Sequence, residues 1–567
     1  MARPWPAMNR LWIVQRADRE YVDYLSRVTG ISPVVARILI NRQLKTPDAV
    51  RNFLGAGLGG LPDPFELRGV KEAVEIINRA KSSGRTVLVH GDYDVDGISS
   101  TSIMVEALRR YGLQTGYFIP NRFDHGYGFH AAGVERALQA GAGLIITTDC
   151  GITAFETAEL AAQKGLEVII TDHHEPTRDE EGNPLLPACG ALINPKLHPG
   201  ETELSGAGVA FKLAQALLGE DALTCLDLAA LGTLADLVPL SEENRIIAKT
   251  GMELIEKSGR PSLLALKEIA GCLGKPMGAR SVCFALIPRL NAPGRIDDAS
   301  FGVRFLLLPE QAAALEAARE LDRINKERQR LEEAVHVQAR AAVEREGFDG
   351  AIVASGEGWH KGVLGIVAAR LSERHMRPSA VLTVEGDMAK GSARSIPQFD
   401  LYDGLSELKD MLVGFGGHRQ AAGLRLKAGS VEDFRRAFSG LVRQRVSEFR
   451  ATLKIDAEVT LKELSPNLVK ELARLEPYGS GNPEPLLGAK RLQVLNARVV
   501  GKGHLKMKLR EEKGHFPVDA IGFDMAGSLK QLEECAAVDA VFTPVMNEWE
   551  GGKTLQLNLK GIRPSAP

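Results

Sequence analysis

His90-Gly91-Asp92-Tyr93-Asp94-Val95-Asp96-Gly97 follows the apolar run Val87-Leu88-Val89 and precedes a polar, helix-compatible segment. It reads as a strand whose C-terminal end delivers a histidine and three carboxylates to one place. His90, Asp94 and Asp96 lie at even offsets, so an extended chain puts them on one face. Crowded carboxylates repel each other unless a proton or a cation sits among them. A hard divalent metal is the expected partner.

Outward from this stretch, short apolar segments (86–90, 115–119, 144–148, 168–171) alternate with helical patterns (99–111, 131–140, 154–163). Strands alternating with helices in this way predict a parallel, doubly wound sheet. In such sheets ligands bind beyond the C-terminal strand ends.

At 567 residues the chain is too long for one core. An N-terminal extension (1–64) with Trp5 and Trp12 precedes the first α/β domain (65–308). Residues 310–346 contain neither glycine nor proline and predict a connecting helix (309–347) of roughly 55 Å if continuous. A second α/β domain (348–450) carries strands at 351–354 and 380–384, helices at 363–375 and 431–445, and Gly414-Phe415-Gly416-Gly417-His418. The remainder (451–567) has short strands between turns, a long turn at Pro477 to Pro483, and two-residue periodicity in Leu505-Lys506-Met507-Lys508-Leu509-Arg510. This predicts a small β-barrel or sandwich.

With 44% apolar and 25% charged residues the composition is that of an ordinary globular protein. Nothing approaches an 18-residue apolar run, and the first residues lack a signal-peptide core, so a cytosolic protein with no membrane contact is expected. The six cysteines form no C-x-x-C pair and are read as reduced thiols. A net charge of −2 says nothing for nucleic acid, so any polyanion site must come from local clustering.

Two further strand ends carry aspartates: Asp149 after Leu144 to Thr148, and Asp172-His173-His174 after Val168 to Thr171. One aspartate at a strand end is usually a cap or turn former. Three such ends on one rim, with histidines attached, point instead to a site. Asp236 is a fourth candidate, because an unpaired carboxylate in the apolar segment Ala229 to Leu237 must meet a cation or lie exposed at a helix end. Such a rim suits two Mg²⁺ or Mn²⁺ ions roughly 3.5 to 4 Å apart, bridged by Asp149, the lone carboxylate of the middle strand end. Zinc would want thiolates or a closed tetrahedron.

Asp172-His173-His174, His90-x-x-x-Asp94-x-Asp96 and Thr148-Asp149-Cys150-Gly151 together resemble the DHH phosphoesterase superfamily. Pro120-Asn121-Arg122, Asn291-Ala292-Pro293-Gly294-Arg295, Gly358 to Gly365, Ser392-Ala393-Arg394-Ser395 and Gly416-Gly417-His418 look like segments of its RecJ single-strand-specific exonucleases. The resemblance implies a DHH domain (65–308), a long helix, a DHHA1 domain (348–450) and an OB-fold (451–567). It implies removal of 5′-mononucleotides from the 5′ end of single-stranded DNA with Mn²⁺ or Mg²⁺, in repair and recombination. The metal ligands it implies are His90, Asp94, Asp96, Asp149, His173 and Asp236, with His174 either behind the ligands or facing the phosphate. Asp92 falls off that pattern, so Asp92→Asn is expected to be milder than Asp94→Asn. A helicase and a single-strand-binding protein are implied as partners of a monomer.

Arg122, Arg295 and Arg394 offer planar forks for phosphate oxygens, and Ser392 and His418 would add hydrogen bonds. A lone arginine is otherwise most often half of a weak surface ion pair. His418 has its own case, since the glycines before it let backbone approach a ligand closely. The turn at Trp359-His360-Lys361-Gly362 opens a helix, whose N-terminus attracts anions. Between Lys490 and Arg510 stand seven basic and no acidic residues, among them Lys502, Lys506, Lys508 and Arg510, which predicts a groove for a single strand. The long helix would hold the second domain across the metal rim, leaving a cleft too narrow for a duplex. Two rival readings are a DHH hydrolase of short oligonucleotides or cyclic dinucleotides, and an inactive single-strand-binding scaffold. The basic C-terminal module argues against the first and the complete ligand set against the second.

Overall fold

The computed structural model describes residues 10–565 except 199, 201, 258, 502, 513–515, 534, 550 and 551, so Trp5 and Lys502 lie outside the described residues. Thr86–Gly91 is the second strand of a five-stranded parallel sheet in the order Thr115–Phe118, Thr86–Gly91, Ala142–Thr148, Glu167–Thr171, Ala191–Ile193. Val87, Val89, Ile145, Ile146, Ile169 and Ile170 are buried, as expected of strands covered on both faces. Thr115–Phe118, next in the chain, lies on one side of Thr86–Gly91, and Ala142–Thr148 lies on the other. The strand order therefore reverses between Thr86–Gly91 and Ala142–Thr148, and the crevice of a doubly wound sheet opens there.

The helix after the first strand begins at Val95, four residues earlier than the sequence pattern predicts. The Asp94 carboxylate is its N-cap, accepting from Asp96 N at 2.9 Å and Gly97 N at 3.2 Å. Asp96 thus sits in the first helical turn, and the expected shared strand face of His90, Asp94 and Asp96 does not form.

The chain divides into two compact units, Met1–Ile287 with Gly302–Gln311 and Thr452–Pro567, and Pro288–Phe301 with Ala312–Ala451. In the second unit five strands run in the order Gly414–His418, Ala421–Lys427, Met388–Arg394, Ser379–Glu385, Ile352–Glu357, and only the last pair is parallel. The long helix is one continuous element, Gln311–Glu346, of about 54 Å. Its Val335, Ala339 and Val343 share a core with Ile352, Trp359 and Leu364, and Trp359 Nε1 donates to Gln338 at 2.9 Å.

In the first unit the C-terminal region forms a six-stranded sheet, five strands of which close into a barrel by pairing of Leu487–Val500 with Val538–Trp549. Closure removes the exposed edges that an open sheet of these strands would present. The N-terminal segment is built into this region. Leu11–Val14 pairs in parallel with Thr452–Ile455, and Leu25, Ile38 and Leu39 lie in one core with Leu487, Met507 and Phe542. Among the described residues no helix is long and apolar enough to cross a membrane.

Arg245, 1% exposed, ties the parallel-sheet region to both of these segments. Its guanidinium donates to the carbonyls of Phe53, Arg474, Leu475 and Glu476 at 2.7–3.1 Å and stacks on the Phe53 ring at 3.7 Å. Arg245→Met leaves four carbonyls without their donor. We expect a loss of about 3 kcal/mol or more in chemical denaturation, since each buried unpaired acceptor costs about 1–3 kcal/mol. A variant as stable as the parent would show that water replaces those bonds freely.

Candidate active site

The carboxylates of the first unit converge where the strand order reverses. Asp96 is buried at the N-terminus of the helix Gly206–Leu218, with Gly206 N at 2.7 Å from Oδ2 and Ala207 N at 2.8 Å from Oδ1. The helix dipole favours a negative charge there. Only hydrogen fits on two neighbouring glycines: a Cβ on Gly232 would lie 2.3 Å from Asp96 Oδ1, and one on Gly206 would lie 2.6 Å from Asp149 Oδ1. Asp149 itself follows its strand with φ 63°, in the left-handed region, and its N–H donates to Thr171 O at 3.0 Å. Strain of this kind collects at functional sites.

Asp172 does not face the other carboxylates as a donor. Its Oδ1 accepts from the backbone N–H of His173 and His174 and from His174 Nδ1 at 2.7 Å, and its Oδ2 accepts from Ile152 N at 2.9 Å. Burial opposes the charge on Asp172, but the His174 hydrogen bond and charge hold it down at about 2. Against its own burial, the same contact holds His174 up at about 9. Asp172 is therefore the group that orients the histidine pair.

Three groups of donor atoms come together, each within 4.8 Å: Asp92, Asp94 and Asp149; Asp149, His173 and His174; Asp96, His173 and Asp236. His173 Nε2 is 3.0 Å from Asp149 Oδ1 and 3.7 Å from Asp96 Oδ2, and its Nδ1 is 3.7 Å from Asp236 Oδ2. Yet His173 Nε2, Asp149 Oδ1 and Asp92 Oδ1 are buried without a hydrogen-bond partner among the described residues. Burial first, then the neighbouring carboxylates, pushes Asp92, Asp96, Asp149 and Asp236 up from the usual carboxylate range. Buried oxygens and an imidazole nitrogen that approach closely without bonding each other fit shared divalent cations.

His90 and Asp92 lie otherwise than the implied ligand pattern has them. His90 is fully buried between Phe118 and Phe129, with ring centroids 5.3 and 5.1 Å away, and accepts from His130 N at 3.4 Å. Burial drives its pKa down to about 3, and it joins none of the three groups. The ring points toward the helix Ala131–Gln139, where a Cβ on Gly133 would strike it at 2.2 Å. Asp92, which falls off the implied ligand pattern, is 2% exposed and lies among Asp94 and Asp149. The strand ends at Gly91 and Asp94 caps the following helix, so Asp92 lies in the short turn between them, beside Asp94.

Sequence reasoning did not single out Tyr127, Gly206 or Gly232. The run Ser205-Gly206-Ala207-Gly208 was a readable signal, a capping serine before three small residues that admit a close neighbour.

Arg122, also in the first unit, lies over the Tyr93 ring at 5.1 Å, and its charge only partly opposes the burial that raises Asp92. In the second unit Arg394 Nη1 donates to Ser392 Oγ at 2.9 Å, and Arg295 Nη1 donates to Gly362 O at 3.4 Å. Gly362 opens the helix Lys361–His375, whose N-cap is His360. His418 ends an edge strand, exposed, next to Gly417 at φ 147°, so it sits in a ladder and not in a tight turn.

On the barrel strand His504–Glu511, Leu505, Met507 and Leu509 point inward while Lys506, Lys508 and Arg510 alternate outward. Lys506 stands opposite Arg498 in the ladder. Like charges directly opposite are unfavourable without an anion. Lys508 has Asp519 at 4.0 Å, Lys490 pairs with Glu458 at 2.8 Å, and Arg510 donates to Gln493 at 2.7 Å. The basic surface is thus narrower than the count of cations between Lys490 and Arg510 suggests.

Family models describe three parts of the chain: the N-terminal domain of the DHH family at residues 86–233, a DHHA1 domain at 349–444 and a RecJ OB domain at 455–561. The single-stranded-DNA-specific exonuclease RecJ of Bacillus subtilis is 39% identical over 98% of this chain and 71% of its own length. That of Escherichia coli is 33% identical over 97% of this chain and 99% of its own. Among solved structures, RecJ of Thermus thermophilus in complex with Mn²⁺ superposes with a TM-score of 0.85 at 29% identity, covering 99% of this chain and 80% of that one. A manganese-bound exonuclease RecJ gives a TM-score of 0.58 at 34% identity over 68% of this chain and 96% of its own.

Proposed function

The chain belongs to the RecJ family of single-stranded-DNA-specific exonucleases, and from that premise we propose how it works on a single strand. It is a phosphodiester hydrolase that uses Mn²⁺ or Mg²⁺ to release 5′-mononucleotides from the 5′ end of single-stranded DNA, in repair and recombination. The observation that carries the metal assignment is the pair Asp149 Oδ1 and His173 Nε2, 3.0 Å apart, buried and each without a hydrogen-bond partner among the described residues.

In this reading Asp92, Asp94 and Asp149 would hold one ion and Asp96, His173 and Asp236 the other, with Asp149 also grouped with His173 and His174. When bound, such ions acidify the attacking water and stabilise the charge that builds on the phosphate. The protein's own part is positional. Asp172 orients both histidines through their backbone, and the helix Gly206–Leu218 fixes Asp96. His174, held protonated, presents Nε2–H to a phosphate oxygen. Arg122 on the first unit offers its guanidinium to a phosphate, and on the second unit Arg295, Arg394, Ser392 and His418 offer their side chains. Lys506, Lys508 and Arg510 hold its backbone on the barrel.

Product analysis on single strands labelled at either end, with each metal, tests this reading. Mononucleotides released from the 5′ label, lost on chelation, are expected. A dinucleotide hydrolysed faster than the strand would favour the short-substrate rival, against which the basic barrel strand speaks. The same reading makes the chain a monomer that acts in the cytoplasm, supplied with single strands by a helicase and a single-strand-binding protein. The family resemblance supports each of these.

A further inference from the structure

Tyr127 lies on the loop between the strand Thr115–Phe118 and the helix Ala131–Gln139, flanked by Gly126 at φ 83° and Gly128 at φ 109°. A Cβ at either glycine would meet nothing within 4 Å, so the backbone angle and not space calls for glycine at both positions. The double bend turns the tyrosine back over the site. The residue is 44% exposed, and its ring packs edge-on against His174 at 5.2 Å between centroids. Its Oη lies 2.8 Å from His174 Nδ1 and 3.3 Å from Asp149 O.

These contacts form a connected set. His174 Nδ1–H is shared between Asp172 Oδ1 at 2.7 Å and Tyr127 Oη, while the tyrosine O–H donates to the Asp149 carbonyl. Asp172 alone leaves the imidazole free to pivot about one hydrogen bond, and a second oxygen on the same nitrogen removes that freedom. The Asp149 peptide sits in a left-handed conformation costing about 1–2 kcal/mol, so a donor on its carbonyl helps hold the turn that aims the Asp149 carboxylate. We propose that Tyr127 is a positioning residue of the hydrolytic site: its hydroxyl locks His174 and the Asp149 turn into one arrangement. His174 then presents Nε2 to the scissile phosphate, and Asp149 keeps its carboxylate between the two donor groups.

The inference rests on the metal site proposed above, and its test separates the two. Full-length Tyr127→Phe and Tyr127→Leu are compared with the parent in three measurements: steady-state hydrolysis of a single strand, calorimetric Mn²⁺ titration without DNA, and thermal melting. Partners that orient metal ligands typically control about 10–100-fold in metal affinity or activity. Tyr127→Phe, which keeps the ring, is expected to lose about 10-fold or more in kcat and several-fold in Mn²⁺ affinity, with KM within about twofold and an unchanged melting temperature. Tyr127→Leu should match it, because the hydroxyl and not the ring carries the effect. Parent-like kcat and Mn²⁺ affinity in Tyr127→Phe would overturn the proposal. So would a raised KM at unchanged kcat, which would make Tyr127 a contact for DNA. A parent chain inactive on single strands would bring down the proposed function instead, and the Mn²⁺ titration would still decide the role of Tyr127.

Discussion

Asp149→Ala is expected to lower hydrolysis of a single strand by about 10³-fold or more while strand binding stays measurable, because several kcal/mol of transition-state stabilisation depends on the site it joins. Asp149 is the carboxylate shared by two of the three donor groups, so its loss opens both. The stability of the metal-free chain should move the other way from activity. The Asp149 carboxylate is buried beside Asp96, Asp94, Asp92 and Asp236, and burial and their charges push its pKa well up. Removing it relieves that repulsion, offset by the cost of alanine at φ 63°. The melting temperature without metal should therefore hold or rise, and the gain in melting temperature on adding Mn²⁺ should shrink. Asn at 149 accepts the left-handed backbone more readily than alanine, so Asp149→Asn separates the turn from the charge. Turnover retained by Asp149→Ala with added Mn²⁺ would sink the bridging assignment.

Strand ends were legible because parallel strands write themselves as uninterrupted apolar runs: Ala142–Thr148 and Glu167–Thr171 lie within two residues of their predicted bounds. Asp149 and His173 were read as candidates because they follow such strands, and Asp236 because it ends an apolar segment that proves to be the helix Leu226–Asp236. The geometry around His90 to Gly97 was not legible. Two-residue alternation assumes an extended chain, but the strand ends at Gly91 and Asp94 caps the next helix, so Asp94 and Asp96 leave the strand face on which His90 stays. The N-terminal segment was opaque for another reason. Its partners, Thr452–Ile455 and the barrel core, lie more than 400 residues away, and no local pattern announces a contact of that span. The basic strand was legible as a pattern, but Asp519 and Glu458, which answer part of its charge, lie on other strands or beside them.

Gly206→Ala should cost about 10²-fold in activity while leaving the protein folded, because misplacing a reacting group by about 1 Å is worth a factor of that size. A Cβ at 206 would lie 2.6 Å from both Cβ and Oδ1 of Asp149, closer than real atoms come. Either the Asp149 turn or the start of the helix Gly206–Leu218 must move. Asp149 has little room, held by its N–H to Thr171 O and its carbonyl to Tyr127. The helix start is the other choice, and its first two N–H groups are those that clasp Asp96 at 2.7 and 2.8 Å. One methyl group thus displaces one or the other of two carboxylates in separate donor groups. Overpacking of a well-packed site costs about 1–3 kcal/mol, a melting shift of a few degrees that leaves the fold intact at assay temperature. Helix propensity works in the variant's favour, since alanine is better than glycine by up to about 1 kcal/mol, so a large loss of activity cannot be laid to a weakened helix. Mn²⁺ affinity should fall with activity. Parent-level hydrolysis by a Gly206→Ala chain of parent stability would mean that the site absorbs the methyl by moving neither carboxylate, and that the close approach of helix and turn is incidental to it.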